Sequence, residues 1–258
     1  MYKRLTDEQG ALASWVINLI NSLRARSLNS ILQRDGLESI WDGDRLSVKC
    51  RNITRFVLQE LYGRDNDRGS LDPKCIFLTS GEAKVKSLPN WPVTFREEFI
   101  RLIGDMLRPR NNPEESELTH FIEMVKNRKI TFKKLFHHPL LQSTTERFRF
   151  PIRAILHLND NRRKTWEREY EKFDTTVVNF DSQIQQSIYK DAFKSLLNYG
   201  PQQGTGYKNT VVGVLHFSKN AANHIYQHSK TRMPEEEIEN ELTKMFPTRL
   251  IDFVRVSS

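Results

Sequence analysis

Cysteine is scarce in this sequence: Cys50 and Cys75 are the only two in 258 residues. Two thiols cannot build a disulfide framework and fall short of a cysteine zinc site, so a reducing compartment is expected, with both partly buried. Eleven glycines and ten prolines are too few for a collagen-like or low-complexity chain. Long apolar runs are missing too. The stretch Val211–Leu215 is among the longest, far short of the ~18 residues of a membrane span, and no apolar signal region follows Met1. The expectation is a soluble, cytoplasmic protein with no membrane partner. No histidine pair encloses a glutamate in HxxxH spacing. His224 and His228 are four apart, but Ile225, Tyr226 and Gln227 lie between them, which argues against a zinc hydrolase. No metal or other cofactor is expected.

Positive charge is present in excess, 40 Lys+Arg against 32 Asp+Glu, for a net +8. It is uneven. Residues 147–233 carry 14 basic and 7 acidic side chains, whereas 234–258 carry 3 and 6. A basic segment ahead of an acidic helix suits an anionic partner such as RNA, although a solvated basic face has the same composition. Aromatic residues reach 10%, more than disordered chains usually hold. The length fits one large domain or two small ones.

Apolar residues mostly recur at helical spacing. Leu12, Trp15, Val16, Leu19, Ile20 and Leu23 predict a helix from Thr6 to about Gln33, and Ile53, Phe56, Val57, Leu58 and Leu61 predict another over Arg51–Tyr62. Cys75–Leu78 and Ala83–Lys86 read as two short strands around a tight turn. Helices resume at Thr94–Leu107, Glu115–Lys126 and Phe132–Phe136, the last ended by His138-Pro139. From Pro151 to Ser195 the pattern is mostly helical. Gly200–Gly206 reads as a glycine-rich loop, Thr210–His228 as a helix and Pro234–Met245 as a terminal helix.

The segment Gly69-Ser70-Leu71-Asp72-Pro73-Lys74-Cys75-Ile76-Phe77-Leu78, followed by Lys84-Val85-Lys86-Ser87-Leu88-Pro89, resembles a protein kinase catalytic loop leading toward its magnesium-binding segment. The chemistry is missing. The positions where kinases carry a proton-accepting Asp, an Asn and a metal-binding Asp hold Ser70, Cys75 and Ser87. No glycine-rich strand pair or strand lysine precedes the loop, so no usable nucleotide pocket is expected. Asn127–Leu141 is similar to the end of a kinase C-lobe. Kinase activity is excluded on these residues.

Gly206-Tyr207-Lys208-Asn209-Thr210-Val211, continuing through Lys219-Asn220-Ala221-Ala222-Asn223-His224, resembles the kinase-extension nuclease (KEN) family, and Leu242–Leu250 is similar to that domain's terminal helix and Phe-Pro turn. The family domain occurs in ribonuclease L and in the kinase/endoribonuclease of the unfolded-protein response, where it follows a kinase lobe. On the residues alone, a helix places Asn220 and His224 on one face (i, i+4), with Lys219 beside it and Tyr207 able to fold back from the preceding loop. A phenol, an ammonium, an amide and an imidazole suit metal-free RNA cleavage, in which the ribose 2′-hydroxyl attacks the adjacent phosphate and the 5′-oxygen departs. His224 would be the general acid, Tyr207 would deprotonate or position the 2′-hydroxyl, and Lys219 and Asn220 would stabilise the phosphorane charge. The resemblance adds Phe180, which supports the site or stacks on a base, and Lys208 as an RNA-binding residue. It also exposes a departure: relatives carry arginine where this chain has Lys219, and loss of a bidentate fork can cost ~2–4 kcal/mol in a transition state. Taken singly, each of these residues is equally at home in a core or on a solvated face.

The expected fold is therefore mainly α. A truncated, degenerate kinase-like C-lobe over 1–145, helical with a short β-hairpin, precedes an all-helical KEN-type ribonuclease domain over 146–258. The expected activity is a metal-independent endoribonuclease acting on single-stranded loops. The family works as a dimer, so a homodimer or a heterodimer with a full-length relative is expected, made without a sensor domain. The rival is a non-catalytic module that pairs with such a relative and regulates it. A generic basic RNA-binding domain is the third alternative.

Overall fold

The computed structural model describes residues 26–27, 41–42, 45–64, 67–72, 76–78, 83–85, 91–106, 115–161, 166–171, 177–202, 206–229 and 232–257. The chain is mainly helical and divides into two compact units: 1–110 with 121–137, and 111–120 with 138–258. No helix among the described residues is long and apolar enough to cross a membrane.

In the first unit β1 (Arg26–Ser27), β2 (Trp41–Asp42) and β3 (Arg45–Leu46) precede α1 (Val48–Glu60). Ser47 caps α1 by accepting from the Cys50 amide at 3.2 Å. β4 (Ile76–Leu78) and β5 (Ala83–Val85) form the anticipated antiparallel hairpin, with Ile76 opposite Val85 and both buried. The helix expected from Thr6 to Gln33 lies outside the described residues except at Arg26–Ser27, which are extended and pair with Phe77 and Leu78. There β4 offers an open edge, and its backbone groups recruit a third strand.

α2 (Phe95–Met106) buries Phe95, Phe99, Leu102 and Ile103. Its Arg96 donates from Nη1 to the Val125 carbonyl (2.7 Å) and from Nη2 to the Ile130 carbonyl (2.6 Å). The first of these carbonyls belongs to the last turn of α3 (Glu115–Lys126). A cation at a helix C-terminus satisfies carbonyls the helix leaves open. α4 (Phe132–Leu135) follows, capped by Thr131. Gly69 is required where it stands, because a Cβ there would lie 2.3 Å from the Phe95 ring. Next to it Ser70 is 1% exposed, and its hydroxyl accepts from the Asp72 amide at 3.1 Å. Cys75 and Ser87 lie outside the described residues.

The second unit holds α5 (Thr144–Asn161), α6 (Trp166–Glu171), α7 (Phe180–Ile184), α8 (Lys190–Gln202), α9 (Val211–His224), α10 (Glu235–Met245) and α11 (Arg249–Ser257). Helix α8 runs through Gly200 and Pro201, where a loop was expected. α11 was not foreseen, although Leu250, Ile251 and Phe253 are buried along it. α9 sits between two apolar clusters: Val214, Phe217 and Ala221 enter one, and Val211, Val212 and Leu215 the other. Burial on both flanks leaves a single polar stripe on this helix.

Charge is also buried here. Arg147 forks onto Glu117 at 2.5 and 2.9 Å and donates from Nε to Glu239 at 3.0 Å. Arg249 reaches the other Glu239 oxygen at 2.6 Å. All four side chains are at most 1% exposed, so each charge depends on its partner.

Candidate functional site

The turn before α9 sets the site. Thr210 caps the helix, accepting from the Gly213 amide at 3.2 Å. Asn209 accepts from the Val178 amide at 3.0 Å, which holds this turn beside the start of α7. Gly213 is obligatory, since a Cβ there would meet the Lys208 carbonyl oxygen at 1.9 Å. That close approach folds Tyr207 back along α9. Its ring packs edge-on against Phe217, with centroids 5.3 Å apart, and lies 6.2 Å from Phe180.

Tyr207 and Asn220 meet directly. The Asn220 amide nitrogen donates to the Tyr207 oxygen at 2.7 Å. Burial raises the Tyr207 pKa above the ordinary phenol value, and the Asn220 hydrogen bond only partly opposes it. The phenol therefore stays protonated at neutral pH. With its oxygen already accepting from Asn220, the hydroxyl hydrogen is left to donate to a ligand.

Tyr207, Lys219 and Asn220 line one cavity of about 450 Å³, together with Lys208, His216, Glu167 and Glu171. Lys219 is half-buried. Lys208 is exposed and paired with Glu171 at 3.0 Å, so its charge is already compensated. His224 ends α9, one turn beyond Asn220, and does not line the cavity. Its Nδ1 is buried with no hydrogen-bond partner among the described residues. Nearby His228 accepts or donates at Ser195 Oγ (3.0 Å), and its pKa is lowered by burial and by the neighbouring His224.

Phe180 is 3% exposed and packs on Tyr207, Phe217 and Phe246. This corrects the base-stacking alternative: a ring enclosed on these sides has no face for a base, and Phe180 instead backs Tyr207. Two further groups at the cavity escaped the sequence reading. His216 Nε2 lies 2.8 Å from Glu167 Oε1, and the His216 ring stacks on Trp166 with centroids 5.9 Å apart. The signal was present as a stripe, His216, Asn220 and His224, at four-residue intervals. Its carboxylate partner is 49 residues away in sequence.

Among the described residues, no group of three or more His, Cys, Asp and Glu side chains is placed to hold a metal ion. Comparison with family models, curated proteins and solved structures finds no match to this chain.

Proposed function

We propose that the chain is a metal-independent endoribonuclease of the kinase-extension type, cutting single-stranded RNA loops by attack of a ribose 2′-hydroxyl on the neighbouring phosphate. The observation that carries the reading is the 2.7 Å hydrogen bond from Asn220 to Tyr207 on a cavity that Lys219 also lines. A phosphate in that cavity would receive the Tyr207 hydroxyl, the Asn220 amide edge and the Lys219 ammonium. Donors aimed at developing phosphorane charge are the largest single contribution a protein makes to such a reaction. The protonated phenol positions and donates; it does not serve as base. His224, one turn away, supplies the leaving-oxygen proton. In this reading residues 1–145 are a kinase-like remnant in which buried Ser70 replaces the proton-accepting carboxylate, and the protein acts as a dimer.

The direct test is incubation of purified protein with a stem-loop RNA in EDTA, compared with His224→Ala. Cleavage that survives EDTA and falls by about 10²–10⁴-fold in the variant is the expected result. Equal cleavage by both proteins removes His224 from the reaction.

One observation favours a second reading, a non-catalytic module that pairs with a full-length relative. Glu167 and Glu171 line the same cavity, and two carboxylates oppose an incoming phosphate. That reading predicts no cleavage at any protein concentration, together with a stable complex with such a relative.

A further inference from the structure

We propose that His216, oriented by Glu167, is a further catalytic residue that takes the 2′-hydroxyl proton; this rests on the ribonuclease reading above. The reaction needs a base, and the four residues singled out by sequence leave that role unfilled. Asn220 is an amide and no base, Lys219 faces the phosphate charge, and Tyr207 keeps its proton because burial disfavours the phenolate. His224 is committed to the leaving oxygen.

His216 has the geometry the role requires. It lies on α9 four residues before Asn220 and three before Lys219, which puts all three on one helix face. All three line the same cavity. Its Nε2 faces Glu167 Oε1 at 2.8 Å. A carboxylate accepting the Nε2 proton selects the tautomer whose Nδ1 carries the lone pair. No described residue is hydrogen-bonded to that Nδ1. Trp166 holds the ring plane by stacking at 29°, and the indole is itself fixed by its bond to Asn159 at 3.1 Å. Imidazole, orienting carboxylate and cavity thus form a base–orienter pair of the kind that activates hydroxyl nucleophiles. It also gives Glu167 a use in a site that receives an anion. The other charged groups on the cavity are Glu171, Lys208 and Lys219.

In the step itself, the 2′-hydroxyl proton passes to His216 Nδ1 as the 2′-oxygen bonds to phosphorus. The bond from phosphorus to the 5′-oxygen breaks, and that oxygen takes a proton from His224. The products are a 2′,3′-cyclic phosphate and a free 5′-hydroxyl. His216 leaves as imidazolium and His224 as neutral imidazole, and solvent restores both.

A change of leaving group separates base from acid. Uridine 3′-(p-nitrophenyl phosphate) departs as nitrophenolate without protonation but still needs its 2′-hydroxyl activated. His224→Ala is expected to be slow on RNA and near wild type on this ester. His216→Ala is expected to lose about 10²-fold or more on both. His216→Gln, which keeps a donor for Glu167, should lose as much while retaining the wild-type melting curve. Glu167→Gln removes the carboxylate that orients the ring, so kcat should fall about 10-fold or more on both substrates with KM unchanged. If wild type is active and the His216 variants keep its rate, or the ester rescues them, the proposal falls while the ribonuclease reading stands. If wild type cleaves neither substrate, both fall together.

Discussion

The second unit builds with charge twice, and the two places follow opposite rules. In the interior, Arg147, Glu117, Glu239 and Arg249 pair with one another, and among the described residues only Arg249 Nε and Nη1 are left buried without a hydrogen bond in this cluster. Two cations meet two carboxylates, and the Thr243 hydroxyl donates to Glu239 at 3.2 Å. Around the cavity Lys208 and His216 pair with Glu171 and Glu167, but several groups are left open. The Tyr207 hydroxyl hydrogen, the Lys219 ammonium and His216 Nδ1 have no partner among the described residues. A buried ion-pair network holds a fold together, because its members cannot be exposed or separated cheaply. Open groups that line a cavity wait for a ligand. The same residue types therefore mean different things according to what they are already bonded to.

The largest effect should come from breaking the buried ion-pair cluster. Arg147→Met leaves Glu117 and Glu239 buried with too few donors, and removing one partner of a buried pair costs ~3–5 kcal/mol. Urea denaturation should show the loss, whereas Lys219→Ala should stay within about 0.5 kcal/mol of wild type by the same measurement. Equal losses would erase the distinction between the two regions. The cavity should respond in rate instead. Lys219→Arg restores a planar fork at the phosphate and should raise RNA cleavage, by up to about 10²-fold if the contact becomes bidentate in the transition state. An unchanged or lower rate counts against Lys219 as the phosphate ligand.

A smaller change probes the Tyr207–Asn220 pair in the cavity. Tyr207→Phe removes the acceptor for the Asn220 amide and should cost about 1 kcal/mol of stability in urea, with a larger loss of cleavage than of folding. If the stability loss is the greater, Tyr207 is a packing residue alone.

The interior also predicts a pH dependence. His138 is fully buried, its Nδ1 accepting from the Leu140 amide at 3.2 Å and its Nε2 3.0 Å from His120 Nδ1. Burial, then His120, then Arg147 hold its pKa well below the ordinary histidine value. The folded state therefore binds its proton less readily than the unfolded chain does. The His138 contribution is fully present above the ordinary imidazole pKa of about 6.5 and is lost progressively as pH falls below it toward the depressed folded value. Melting temperature should drop on acidification through that range, and less so in His138→Asn, where the amide oxygen replaces the Nδ1 cap.

Much of this was legible in the sequence, for particular reasons. α9 was readable because its cap, its apolar spacing and its polar stripe all fall within one continuous helix. Asn220 and Tyr207 could be paired because the turn between them is short and Gly213 lets it close. His216 escaped because its meaning depends on Glu167, on a helix reached only after the chain has folded. Gly200 and Pro201 read as loop residues, yet α8 continues through them to Gln202, since intrinsic propensity is only a weak prior. For Phe180 the resemblance left two roles open, supporting the site or stacking on a base, because sequence does not say whether an aromatic faces a core or a ligand. The Phe246-Pro247 turn marked an end, and α11 beyond it was passed over despite its apolar Leu250, Ile251 and Phe253.

The central claim is that the nucleophile comes from the RNA itself. A stem-loop RNA cut by the protein in EDTA should resist cleavage when only the nucleotide 5′ to the scissile bond is replaced by its 2′-deoxy form, with cutting elsewhere unchanged. Cleavage of the deoxy-substituted site at the original rate would show that water, not the 2′-hydroxyl, attacks, and would contradict the account.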